Sequence, residues 1–213
     1  MKYQRAWLFT NHCPASIYSG YENIAGNDLL IAIDKGLEAM VDLGLTPGLI
    51  VGDFDSLADT KLLDRYDPAI IHRHPQAKNE TDTELAVRLC LERKIGEIII
   101  CNDLGGRMDH CLALLQNLLF ASQHGVSARI ESASQIAIFL GYKTKLAYPQ
   151  NTLVSLVAYS ESAEFYSSDG LLYPLDDLRL ENWQSRGISN VIIAPPARIE
   201  LLYGNVLALM TIF

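Results

Sequence analysis

The 213-residue sequence predicts an α/β half built on a parallel sheet, followed by an antiparallel β-sandwich. Three observations carry that expectation. Up to about residue 130, short apolar runs alternate with segments of helical period, the pattern of strands joined by crossover helices. Beyond that point the helical period fades and short β-rich runs follow one another. Turn chemistry separates those runs at Tyr148-Pro149-Gln150-Asn151, Ser168-Asp169-Gly170 and Ala194-Pro195-Pro196.

In the first half, strands are expected over residues 6–10, 29–34, 49–52, 69–73 and 97–102. Leu37, Met40 and Val41 recur at helical spacing within 35–43, and Gly44 follows as the residue that closes that helix. Thr81 and Glu84 form a capping-box signature for a helix running to about residue 94, with Gly96 as its stop. Leu85, Ala86, Leu89 and Cys90 give it one apolar stripe. Residues 111–123 are apolar almost all round, which predicts a helix buried against several neighbours. In the second half, strands are expected over 135–140, 153–159, 191–193, 198–203 and 206–213. Gly204-Asn205 reads as a two-residue hairpin loop.

Composition removes several classes of function. A net charge of −8 and a pI near 5.0 argue against a nucleic-acid binder relying on a broad basic face. No apolar stretch approaches the roughly 20 residues of a membrane span, and Ala6-Trp7-Leu8-Phe9 is too short for a signal segment. Cys13, Cys90, Cys101 and Cys111 lack C-x-x-C spacing, so they are expected to be reduced, buried thiols of a cytoplasmic protein.

The chemistry concentrates where predicted strands end. Gly52-Asp53-Phe54-Asp55-Ser56 follows the apolar run Leu49-Ile50-Val51. In an extended chain Asp53 and Asp55 point to one side and Phe54 to the other. Two such carboxylates need a cation or a proton between them, and a strand end of an α/β protein is where Mg²⁺ and a phosphorylated ligand bind. An acidic turn satisfying its own backbone is the competing reading. Gly105-Gly106-Arg107-Met108-Asp109-His110 lies between a strand and a helix, where backbone N–H groups and an arginine can meet a phosphate; an ordinary turn with Asp109 as helix cap is the alternative. Lys78, Thr81 and Asp82 stand at another strand-to-helix connection, although an Asp in a first helical turn also suits the helix dipole. Asp34 ends a further strand. His72 and His74 share a strand face as possible metal ligands, but a solvated strand end explains them as well. His12 and His124 have no partner that the sequence identifies. Neither a Walker A pattern nor a G-x-S-x-G elbow occurs.

In this order and spacing the motifs resemble those of the thiamine pyrophosphokinase family over nearly the whole chain. Asp34-Lys35-Gly36 looks like its Asp-x-Gly, and Gly52-Asp53-Phe54-Asp55-Ser56 stands complete. Lys78, Thr81 and Asp82 match its Lys-x-x-Thr-Asp, and Gly105 to His110 its Gly-Gly-Arg-x-Asp-His. Gly170-Leu171-Leu172-Tyr173-Pro174-Leu175 and Ser189-Asn190 resemble motifs of its second half. The resemblance implies a Rossmann-like ATP-binding catalytic domain over 1–130 and a β-sandwich over 131–213 that binds thiamine and dimerises. It implies Mg²⁺-dependent transfer of pyrophosphate from ATP to the thiamine hydroxyl, releasing AMP. By that analogy Asp53, Asp55 and Asp82 hold Mg²⁺, and Lys78 and Arg107 neutralise the transferring group. Asp34, Ser56, Thr81, Gly106, Asp109 and His110 would shape the ATP pocket, and Tyr173, Ser189 and Asn190 would face thiamine.

Four positions depart from the family pattern: Lys35, Gly48, Asn79 and Val191. They motivate two alternatives. One keeps the chemistry and changes the acceptor, for instance to a hydroxymethyl-pterin. The other is a non-catalytic nucleotide sensor that retains the fold.

Overall fold

The computed structural model describes residues 3–14 and 19–212, and the chain forms two compact units, Met1–Ala133 and Ser134–Phe213. In the first unit the elements are β1 (Arg5–Phe9), β2 (Leu29–Ile33), α1 (Gly36–Asp42), β3 (Leu49–Gly52), β4 (Ile71–Arg73), α2 (Asp82–Glu92), β5 (Glu97–Cys101), α3 (Met108–Gln123) and β6 (Ser127–Glu131). The six strands are all parallel, in the order β6-β5-β1-β2-β3-β4.

The continuous apolar runs in β1 and β5 follow from cover on both faces of this sheet. Trp7, Phe9, Ala32, Ile50 and Ile99 form one core with Leu37 and Met40 of α1. The residues between them along the strands, such as Ala6, Leu8, Ile98 and Ile100, are equally buried, and α2 packs against β1, β2 and β3. From β1 the chain builds outward through β2, β3 and β4, then returns to the other side of β1 with β5 and β6. The switch point therefore lies between β1 and β5, at the carboxyl edge where open α/β sheets bind ligands. The strand order differs from the 3-2-1-4-5-6 order of the dinucleotide-binding fold. Here β4 lies outside β3, reached through 3₁₀ segments at Thr60–Arg65 and Pro68–Ile70, so only 71–73 of the strand expected over 69–73 is extended.

Three expected strands run one residue past the ladder. Thr10, Asp34 and Asn102 each leave it, and each turns a polar side chain to the loops at the carboxyl edge. Thr81 caps α2, its hydroxyl accepting the Glu84 N–H at 3.1 Å. Only half of the capping box forms, because the Glu84 carboxylate takes Arg88 instead. The helix ends at Glu92, and the left-handed residue beyond it is Lys94 (φ 56°), ahead of the expected stop at Gly96. Helix α3 starts at Met108, earlier than its apolar run, and it is not buried all round. Leu114, Leu118 and Ala121 face inward while Met108 and Leu112 are exposed.

The second unit holds β7 (Gln135–Phe139), β8 (Lys143–Leu146), β9 (Leu153–Ala158), β10 (Ser162–Asp169), β11 (Arg179–Glu181), β12 (Asn190–Val191), β13 (Ala197–Tyr203) and β14 (Val206–Thr211). Phe213, the last residue of the strand expected over 206–213, lies outside the described residues. Within this unit one antiparallel set runs β12-β9-β14-β7 and the other β11-β10-β13-β8. Val154, Leu156 and Met210 of the first pack with Phe165, Ile199 and Leu201 of the second in one core, which makes a sandwich. Gly204-Asn205 is not a hairpin. It carries the chain from β13 in one sheet to β14 in the other, and the Asn205 carbonyl accepts the Tyr159 N–H at 2.8 Å. Ser168 and Asp169 are likewise ladder residues, opposite Ile199 and Arg198, so the turn begins only at Gly170.

Candidate functional site

A cleft of about 280 Å³ opens at the carboxyl edge of the parallel sheet. Asp34, Asp53 and Asp82 line it, contributed by the loops after β2 and β3 and by the first turn of α2. Asp34 sits in a left-handed backbone (φ 47°), and its Oδ1 accepts the Phe54 N–H at 3.4 Å. Its carboxylate fills the space beside Gly52, where a methyl group would lie 1.8 Å from Oδ1. Burial, and then the charges of Asp82 and Asp53, push the Asp34 carboxyl up to about 7, against the Phe54 N–H and Lys78. Lys78 Nζ stands 2.8 Å from Asp82 Oδ1, both half-buried.

The Asp53-Phe54-Asp55 segment departs from the extended geometry expected of it. β3 ends at Gly52, and Phe54 turns left-handed (φ 67°) to bury its ring completely. The turn is closed by Asp53 Oδ1 accepting the Asp55 N–H at 3.1 Å. Asp53 lines the cleft, while exposed Asp55 stands at its rim, with Oδ2 accepting at 2.9 Å from Nε2 of Gln76, itself a lining residue. The end of β4 and the residue after it hold this turn from outside. The Arg73 guanidinium lies over the Phe54 ring at 4.7 Å, and the His74 N–H bonds the Gly52 carbonyl at 2.9 Å.

Thr81 and His110 line the cleft, but the remaining sequence-predicted residues are more scattered. Ser56 Oγ is buried and has no hydrogen-bond partner. Arg107 and Asp109 pair with each other at 2.6 Å and are largely exposed at the start of α3, as is Gly106. In the second unit, Asn190 is buried and its amide brackets the Tyr173 backbone. Its Oδ1 accepts the Tyr173 N–H at 3.0 Å and its Nδ2 donates to the Tyr173 carbonyl at 2.7 Å. Tyr173 itself is exposed, and so is Ser189, in a left-handed backbone (φ 62°).

Sequence reasoning missed Thr10, Asn11, His12 and Asn102, which form the cleft wall at the switch point, and Asn117, whose Nδ2 reaches Thr81 Oγ1 at 3.4 Å. The signal was present for two of them: Thr10 and Asn102 are polar residues directly after apolar strands, the same sign that singled out Asp34.

The donor set suits a hard divalent cation, since four acidic residues, Asp34, Asp53, Glu80 and Asp82, line one cleft, and burial together with like charge pushes the Asp34 carboxyl up. Among the described residues no three such side chains are already drawn together as a metal cluster. Lys78 supplies the positive charge at Asp82.

Cys111 lines the same cleft, whereas burial pushes the Cys13 and Cys90 thiols up to about 12 and raises that of Cys101 as well. Iodoacetamide at mild alkaline pH should therefore label Cys111 first on the native chain. Peptide mass spectrometry checks this; labelling of Cys90 at the rate of Cys111 would contradict the burial of Cys90.

A family model described as "Thiamin pyrophosphokinase, catalytic domain" matches residues 22–130, more than half of the chain and the segment that carries every cleft carboxylate. The chain belongs to the thiamin pyrophosphokinase family. Among curated relatives, the thiamine pyrophosphokinase of Bacillus subtilis is 29% identical over 169 residues, covering 78% of each chain. A crystal structure of thiamine pyrophosphokinase from the same organism matches with a TM-score of 0.83 at 22% identity, over 98% of this chain and 99% of that one. The enzyme from Candida albicans matches at 0.80 with 15% identity, over 99% of this chain and 90% of its own. At those identities the structural matches speak for the fold.

Proposed function

We propose that the chain transfers pyrophosphate from MgATP to the hydroxyl of thiamine, giving thiamine diphosphate and AMP. The observation that carries this reading is the cleft at the switch point, where Asp34, Asp53 and Asp82 meet beside Lys78. Such a transfer asks for in-line positioning and neutralised charge more than for covalent chemistry. Asp53 and Asp82 would hold Mg²⁺ from the cleft wall and Asp55 from the rim. When bound, Mg²⁺ supplies neutralisation of the polyphosphate and fixes its oxygens.

The chain's own residues do the rest. Lys78 would leave Asp82 for a phosphate oxygen, and Arg107 would leave Asp109 for another. Asp34, Ser56, Thr81, Gly106, Asp109 and His110 shape the nucleotide site; the unpartnered Ser56 hydroxyl supports its part in this. The thiamine oxygen attacks the β-phosphorus, the bond from that phosphorus to the α–β bridging oxygen breaks, and AMP leaves with that oxygen. The hydroxyl proton passes to a carboxylate, with Asp55 and Asp82 as candidates. Tyr173, Ser189 and Asn190 would face thiamine in a homodimer, Asn190 by fixing the Tyr173 backbone. Four free cysteines fit a reducing cytoplasm.

The test is AMP release from MgATP with thiamine, without it, with a hydroxymethyl-pterin, and after chelation of the metal. AMP should appear only with thiamine and metal together. Release with the pterin alone would move the assignment to another alcohol, and tight ATP binding without AMP would make the chain a nucleotide sensor.

A further inference from the structure

The three residues directly after β1 tie together the two loops that flank them at the switch point. Thr10 is 5% exposed; its hydroxyl donates to the Cys101 carbonyl at 2.9 Å and accepts from Asn102 Nδ2 at 2.7 Å. Asn102 passes the constraint on, its Oδ1 accepting the Leu104 N–H at 2.6 Å. Asn11 reaches the opposite way, with Oδ1 accepting the Lys35 N–H at 3.1 Å. The His12 carbonyl accepts the Asp103 N–H at 2.7 Å, and its imidazole lies so close to Gly106 that a methyl there would sit 2.4 Å from Nε2.

Both loops need holding. Asp34 and Leu104 are non-glycine residues in left-handed backbone (φ 47° and 51°), a conformation that persists only where the surroundings over-determine it. One loop presents the Asp34 carboxylate to the cleft and the other carries Gly105-Gly106-Arg107. Asn11 braces the first, Thr10 and His12 the second, and the three are consecutive directly after β1, four of whose five residues are fully buried.

We propose that Thr10-Asn11-His12 is a positioning segment for the nucleotide: it sets the spacing between the Asp34 loop and the Gly105-Gly106-Arg107 loop, and so governs affinity for the triphosphate and not for the acceptor. This rests on the pyrophosphokinase reading for the identity of the nucleotide. Thr10 acts through Asn102, because its one hydrogen and one of its lone pairs are already engaged; its role is positioning rather than catalysis.

The test uses Thr10→Val, Thr10→Ser and Asn11→Ala in the full chain, with MgATP affinity from calorimetry, KM for thiamine and the melting temperature. Thr10→Val should weaken MgATP about tenfold and Asn11→Ala about threefold, the scale of one lost hydrogen bond that orders a loop. Thr10→Ser should restore MgATP affinity to near wild type, and KM for thiamine should stay within about twofold throughout. Unchanged MgATP affinity in Thr10→Val and Asn11→Ala overturns the proposal, as does a Thr10→Ser variant no better than Thr10→Val. Equal losses for both substrates overturn it too. If Thr10→Val does not fold, Asn11→Ala decides alone, because its exposed side chain makes one bond to the neighbouring loop. A wild type that binds MgATP but releases no AMP sinks the pyrophosphokinase reading and leaves the affinity comparison intact.

Discussion

Asp53→Asn should lower the rate of AMP release about 100- to 1000-fold and leave the melting temperature unchanged or slightly raised. Asparagine keeps the Oδ1 that accepts the Asp55 N–H at 3.1 Å, so the turn that buries Phe54 survives. What disappears is one of four acidic groups around a half-buried site. That charge helps to push Asp34 up to about 7, after burial and Asp82, so its removal relieves like-charge repulsion among the cleft carboxylates. With MgATP bound the same charge is attractive, and its loss weakens the grip on the transferring group. Opposite signs for stability and rate mark a group kept for function at the expense of the fold. Steady-state AMP release and thermal unfolding of the same preparation check both. Activity within threefold of wild type would remove Asp53 from the site, and a fall of several degrees in melting temperature would make it a structural residue.

The periodicity of the first half was legible because a parallel sheet buried on both faces forces unbroken apolar runs, as in Ile98-Ile99-Ile100. Its helix caps were legible for an equally local reason: Thr81 satisfies the N–H of Glu84 three residues on. The second half was harder. β10 buries Ala163 and Phe165 but otherwise carries Glu164, Ser167, Ser168 and Asp169, since its outer face meets water. Polar alternation of that kind reads as loop. Gly204-Asn205 was misread for a related reason. Two residues can link strands of one sheet or pass between two sheets, and only the long-range partners of β13 and β14 decide which.

For the site, the residue types were legible and their directions were not. Asp53 and Asp55 look equivalent in an extended chain, yet Phe54 is left-handed with its ring in the core, so the segment is a turn in which Asp53 lines the cleft and Asp55 is exposed at its rim. No local signal announces that turn, because it depends on Asp34 accepting the Phe54 N–H and on Arg73 covering the ring. The contribution of Thr10, Asn11 and His12 was hidden similarly. Each bonds a residue 24 or more positions away, brought near only by the parallel order of β2, β1 and β5.

Gly36→Ala should lower stability by about 2–3 kcal/mol, roughly 5–10 °C in melting temperature, and weaken MgATP binding with it. Gly36 opens α1, where alanine would ordinarily gain about 1 kcal/mol in helix propensity. Here the added methyl would lie 1.9 Å from the Phe9 carbonyl oxygen and 2.5 Å from its carbon. Both atoms belong to β1, whose ladders to β2 and β5 fix it on both sides, so the helix must give way instead of the strand. The start of α1 is bonded to the site through the Asp34 carbonyl, which accepts the Leu37 N–H at 3.1 Å. Moving that turn moves the Asp34 backbone out of its left-handed conformation and its carboxylate away from Gly52. Gly26→Ala is the matched control, since no atom lies within 4 Å of the methyl it would add, and its melting temperature should stay within about 1 °C of wild type. Equal behaviour of the two variants would mean that the close approach of α1 to β1 is not what positions Asp34. If they differ as expected, the pairing of an acidic residue with a glycine two positions on has one physical cause: the carboxylate can be aimed into the cleft only where the helix that follows may touch the central strand.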